Sequence, residues 1–160
     1  MSNLDQARAL RAAGQHEQAH ELLVALAARL PDDATVQYET ACVHDSLGLE
    51  RAAVPFYRAA IRLGLPDAEL RGAYLGLGST LRTLGEYAAA HQTLAEGLER
   101  FPDAAELRVF AAMVAYNQGR HHDAVADLLR LLADTSADRH VQDYARAIRF
   151  YADDLDRQWE

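Results

Sequence analysis

The chain has 160 residues, half of them hydrophobic, with a formal net charge of −8 and an isoelectric point near 5.3. The length suits one domain with a continuous core. All sixteen basic residues are arginine and none cluster, which argues against nucleic acid, where phosphate neutralisation supplies most of the affinity; no apolar run approaches the roughly 18 residues of a membrane span, which argues against a membrane.

The opening MSNLDQARALRAAG carries an early aspartate and no long apolar stretch, so it does not read as a secretory signal, and the cytoplasm is the expected compartment. Amphipathic helices are expected over residues 3–13 and 16–29, then 34–47 and 50–63. Gly64 is placed to cap the fourth, and Pro55 falls early in it, where a mild kink is the expected cost. Asp67 follows Pro66 as a candidate N-cap for a helix over 68–84, followed by one over 87–100 that Pro102 ends. Asp103 and Glu106 have capping-box spacing before a helix over 104–118, followed by one over 121–133. A last helix, capped by Ser136 or Asp138, is expected to reach about residue 157.

A period runs through these elements. Turn glycines stand at Gly14, Gly48, Gly85 and Gly119, at intervals of 34, 37 and 34 residues. Seven residues before each is Ala7, Ala41, Gly78 or Ala112, and five after each is Ala19, Ala53, Ala90 or Ala124. Nine after each is Leu23, Tyr57, Leu94 or Leu128. Small residues in phase let paired antiparallel helices touch closely, and a fixed period with filled slots is the mark of a helical repeat array. The three extra residues before Gly85 are close to one helical turn, so they are expected to lengthen the third unit's first helix.

At Tyr74, Leu77-Gly78, Leu81, Ala90, Leu94 and Pro102 the sequence resembles the tetratricopeptide repeat (TPR) family. Asn3, Gln37 and Arg108 replace the opening aromatic in the other units, and Ser136 replaces the last proline. The stretches Leu70–Leu81 and Ala145–Leu155 also resemble a group of small stand-alone bacterial TPR proteins. The resemblance implies an all-α, right-handed α-solenoid of about four helix-turn-helix units. These would span about residues 1–32, 33–66, 67–102 and 103–136, with a C-terminal capping helix over 137–160. On that helix Val141, Tyr144, Ala145, Ile148, Ala152, Leu155 and Trp159 share a stripe expected to cover the last apolar face. Phe150 lies opposite, among Asp143, Arg146, Asp153 and Arg157, and with Trp159 is a candidate contact in a homodimer.

His16-Glu17-Gln18-Ala19-His20 matches the zinc-protease pattern H-E-x-x-H, which would make His16 and His20 ligands and Glu17 a general base. The repeat phase opposes this: Ala19 is a contact slot, and His16 shares its slot with Tyr87 and His121. His121-His122-Asp123 reads as a packing ring followed by a solvated turn. Cys42 is the only cysteine, so no internal disulfide exists, and a small packing residue is the expectation. No nucleophile elbow, phosphate loop, dinucleotide fingerprint or paired-cysteine pattern is present, and no cofactor or metal is expected.

The TPR resemblance implies a peptide-binding groove lined by the first helix of each pair. Its slots are Leu4, Arg8 and Arg11; Tyr38, Cys42 and Asp45; Leu75, Ser79 and Arg82; and Val109, Met113 and Tyr116. Arginines at one end and apolar residues at the other fit a peptide with an acidic and an apolar end. Leu4 and Arg8 stand where the chaperone-tail clamp needs lysine and asparagine, so that partner is disfavoured. The expected function is a non-enzymatic scaffold for a protein or peptide. A zinc hydrolase through residues 16–20 and a purely self-associating structural module are the alternatives.

Overall fold

The computed structural model describes residues 2–158. Among these residues there are ten helices and no strand, and the chain divides into two compact units, Met1–Thr93 and Leu94–Glu160. Unit 1 holds α1 (Asn3–Ala12), α2 (His16–Arg29), α3 (Ala34–Ser46), α4 (Glu50–Leu63) and α5 (Asp67–Thr83), and α6 (Tyr87–Arg100) begins in it. Unit 2 takes the rest of α6 with α7 (Ala105–Asn117), α8 (His121–Thr135), α9 (Arg139–Asp143) and α10 (Ala145–Ala152).

One turn is used four times. Gly14, Gly48, Gly85 and Gly119 have φ of 74°, 70°, 78° and 78°, a region that glycine enters without the Cβ penalty. The residue after each glycine donates its N–H to the carbonyl five residues back: Gln15 to Leu10, Leu49 to His44, Glu86 to Leu81 and Arg120 to Ala115, each at 2.9 Å. That bond is the Schellman closure, which satisfies a carbonyl the ending helix would leave open. The contact slots behave alike. Ala7, Ala41, Gly78 and Ala112 are buried, as are Ala19, Ala53, Ala90 and Ala124. In unit 1, Ala7, Ala19, Leu23 and Val43 form one buried cluster, and Leu26, Ala27 and Val36 form the next.

The extra turn falls where the spacing put it, since α5 has 17 residues against 13 in α3 and α7. Gly64 ends α4 at φ 89°, and α4 runs through Pro55, which faces solvent. Several expectations need correction. Pro66, not Asp67, occupies the N-cap of α5, with no side-chain cap. The Asp103–Glu106 capping box does not form: α7 starts one residue late, and buried Ala104 takes the cap position. A capping box that went unremarked closes α1 instead. Ser2 Oγ accepts from the Asp5 N–H at 3.1 Å, and the Asp5 carboxylate accepts from the Ser2 N–H at 3.0 Å. Leu128, in a slot that is buried in the other three units, is 41% exposed.

The C-terminal helix is not continuous. It breaks at Tyr144, whose φ of −101° and ψ of 4° leave the helical well, and α9 is a five-residue helix capped by Asp138. The break turns Tyr144 outward, and Leu155 lies beyond α10 and is exposed. Val141, Ala145 and Ile148 are half-buried and Ala152 is buried. Trp159 lies outside the described residues.

Candidate functional site

In unit 1 the slots on α1, α3 and α5 are tied together by charge. Arg8 Nε donates to Glu39 Oε1 at 2.7 Å, and Arg8 Nη2 donates to Glu69 Oε1 at 2.9 Å. Arg11 Nη1 donates to the other Glu39 oxygen. Thr35 Oγ1 donates to Glu69 Oε2 at 3.2 Å. Glu39 is buried, and the two arginines and Glu69 are half-buried. One arginine thus staples the first helices of three successive pairs. Arg8, Arg11 and Glu39 also line a cavity of about 280 Å³ with Ala12, His16 and Ser46.

A second polar group sits further along. Asp45 Oδ2 accepts from the Tyr57 hydroxyl at 2.8 Å. Thr80 Oγ1 lies 3.0 and 2.9 Å from the two Asp45 oxygens and 2.8 Å from the Gly76 carbonyl. With one proton, that hydroxyl serves one acceptor at a time. Burial pushes the Asp45 carboxyl above the usual carboxylate range, against the pull of the two hydroxyls. Cys42 lies beside this group, 3.8 Å from the Tyr57 hydroxyl, and burial pushes its thiol up. It is a packing residue with little thiolate. The Tyr38 ring lies 6.2 Å from the Tyr57 ring, tilted to it by 57°. Leu4, Leu75, Ser79 and Arg82 are half-buried.

In unit 2, Val109, Met113 and Tyr116 follow one another at four and three residues on α7, so they share a face. Met113 is 39% and Tyr116 59% exposed. The Tyr116 ring lies 4.6 Å from the His121 ring at the start of α8. His121 is itself exposed, not the packing ring its slot implied, and His122 is exposed as well. Phe150 is 54% exposed on α10, with its ring 5.5 Å from that of Tyr151.

The histidines of residues 16–20 part company. His16 lines the Arg8–Arg11 cavity. His20 turns to α3, where its Nε2 lies 3.2 Å from Nε2 of buried His44. His44 Nδ1 lies 2.7 Å from the Thr40 carbonyl, which fixes the tautomer: Nδ1 donates there, and Nε2 accepts from His20. The His44 ring also stacks at 5.0 Å on Phe56. The pairing occupies the ring nitrogen that a zinc site through His20 would use. Among the described residues no group of three or more His, Cys, Asp or Glu side chains is placed to hold a metal ion.

This pair titrates. Burial, then the neighbouring His44, pushes the His20 ring below its ordinary value of 6.5, while Glu21 pulls weakly the other way. A proton is therefore taken up more readily by the unfolded chain, and stability is lost as the pH falls below about 6.5. The thermal midpoint should drop between pH 7.5 and 5.5. His20→Leu should flatten that drop; an unchanged slope would show that His20 does not control it.

Sequence reasoning assigned slots on the first helices but missed the partners that Arg8, Arg11 and Asp45 hold. Glu39, Glu69, Tyr57 and Thr80 close the networks above, and none occupies a groove slot. The available signal was the density of polar residues in α3, where Gln37, Glu39, Thr40 and His44 are all buried.

The model of the family described as Tetratrico peptide repeat matches residues 34–155. The chain belongs to this TPR family. No curated protein matches the sequence. Among solved structures, the fold is similar to that of YrrB, described as "a TPR protein with an unusual peptide-binding site". The TM-score is 0.66 and the identity 18%, over 92% of this chain and 84% of that one. The TPR architecture is that of a protein-interaction scaffold. Among the described residues no helix is long and apolar enough to cross a membrane.

Proposed function

We propose that this TPR protein is a non-enzymatic, peptide-binding scaffold that acts through the first-helix faces of its repeats. The observation that carries this is the exposure of Met113 and Tyr116 beside Val109 on α7. Aromatics and Met are the side chains that anchor peptides, because they offer large contact area at small entropic cost. The polar slots of unit 1 play a different part from the one their charges first implied. Arg8 and Arg11 already hold Glu39 and Glu69, so a ligand carboxylate would have to compete with them. Tyr38, Asp45, Ser79 and Arg82 complete the polar lining, with apolar Leu75 among them, and the Asp45 oxygens are already bonded by Tyr57 and Thr80. The similarity to a peptide-binding TPR protein supports the reading.

Peptides selected from a random library against the wild-type protein test it by calorimetry. Met113→Asp should weaken their binding at least tenfold with the helical circular dichroism unchanged, and Arg82→Glu should weaken those contacting unit 1. Failure to select any peptide, or full binding by both variants, would reject the proposal.

A further inference from the structure

A repeat array stays in solution only if its last apolar face is covered or used. Unit 1 shows how these repeats are covered. Six, nine and thirteen residues after Gly14 stand His20, Leu23 and Ala27, and each meets α3. His20 faces His44, Leu23 clusters with Val43, and Ala27 clusters with Val36. The same offsets after Gly48 give Val54, Tyr57 and Ile61. The Tyr57 ring lies on the backbone of Gly76 in α5; Val54 and Tyr57 are buried, and Ile61 is half-buried.

After Gly119 these offsets give Val125, Leu128 and Leu132, exposed by 47, 41 and 46%. α10 packs on α8 from a different side. Arg130 reaches the Ala152 carbonyl at 3.5 Å and Asp153 at 2.8 Å, and Arg149 reaches the Ala133 carbonyl at 3.3 Å and Asp134 at 2.9 Å. The positions that receive the next helix in unit 1 therefore form an open aliphatic stripe on α8. Spaced by three and four residues, they share one face, and Asp127, Arg130 and Asp134 point elsewhere. A contiguous exposed apolar stripe marks an interaction surface.

We propose that this stripe joins two copies of the chain, with α8 of each lying antiparallel on α8 of the other about a two-fold axis near Leu128. An uncharged aliphatic stripe is complementary to itself, which a two-fold contact requires. Antiparallel helices also set the positive end of each dipole beside the negative end of the other. The other occupant within reach of the chain is α1 of a neighbouring copy, which would extend the array into a filament. Its outward positions argue against that. Where α3 offers Val36, Thr40 and Val43 to the preceding pair, α1 has Ser2, Gln6 and Ala9, all exposed, with exposed Asp5 among them. The hollow where α9 meets α10 carries Asp143 and Arg146 beside Tyr144, Phe150 and Tyr151, so it matches the stripe less well than a second stripe does.

Light scattering of the purified protein across a concentration series tests the proposal. The wild type should have the mass of a dimer, and Leu128→Asp the mass of a monomer with unchanged circular dichroism. Phe150→Glu should remain dimeric. In a Cys42→Ala background, Leu128→Cys should close an intermolecular disulfide on oxidation, whereas Glu17→Cys should not. A wild type that stays monomeric at high concentration, or binds only a foreign helix here, overturns the proposal. So does a Leu128→Asp variant that stays dimeric. The mass measurement is independent of peptide binding, which Leu128→Asp should leave intact.

Discussion

Replacing Glu39 with alanine should lower the unfolding free energy by about 2–4 kcal/mol, read as a shift of the urea midpoint with unchanged slope. Glu39 is the buried member of an ionic cluster whose other members are half-buried. Its carboxylate accepts from Arg8 on one oxygen and Arg11 on the other, so its removal strands charge that has already left water. The effect falls below the top of the range for buried pairs because Arg8 keeps Glu69 and reaches solvent. Glu69→Ala is the control. Its side chain is more exposed than that of Glu39, and the loss should stay near 1 kcal/mol or less. Equal losses in the two variants would mean that burial of Glu39 does not set the energetics.

Gly76→Ala should be nearly as damaging, by about 2–3 kcal/mol. A Cβ at this position would stand 2.5 Å from both Cζ and the hydroxyl of Tyr57 and 2.7 Å from Cε1. That ring has nowhere to go: it is buried, and its hydroxyl is held by Asp45. The neighbouring glycine gives the contrast. At Gly72 a Cβ would meet the Tyr38 hydroxyl but the ring carbon only at 3.4 Å, and Tyr38 is half-buried and can swing. The better helix propensity of alanine then offsets part of the clash, so Gly72→Ala should cost less than about 1 kcal/mol. Truncating the obstructing ring should rescue the tight site: Tyr57→Leu with Gly76→Ala should cost less than the two changes summed. Thermal denaturation of the four variants decides it, and additive losses would refute the contact.

The repeat was legible because it depends on residues with one physical job. A turn that needs positive φ takes glycine, and a close helix contact takes alanine or glycine. Gly14, Gly48, Gly85 and Gly119 therefore marked the turns, and Ala19, Ala53, Ala90 and Ala124 marked the seams. Cap positions were harder, because one residue of drift at a helix start moves Asp103 out of register and gives its place to Ala104. The surface was legible only as a set of slots. Periodicity placed Arg8 and Arg11 on the first helix, but their pairing with Glu39 and Glu69 depends on contacts 28 to 61 residues apart in the chain. The same holds for His20, whose partner His44 is 24 residues away. The exposure of Leu128 was not legible for another reason. Its slot is buried only when a following helix arrives, and whether one does is a property of the neighbour and not of the residue.

The way α10 is fastened has a consequence for its behaviour in different buffers. Arg130 of α8 and Arg149 of α10 tie the two helices through half-exposed guanidinium groups, while Ala152 is the only buried residue of α10. Attraction of that kind is screened as electrolyte is added, whereas the aliphatic seams of unit 1 are not. The C-terminal helix is thus the part of the fold whose attachment loosens first in concentrated salt, and its amide hydrogens should be the earliest to exchange there.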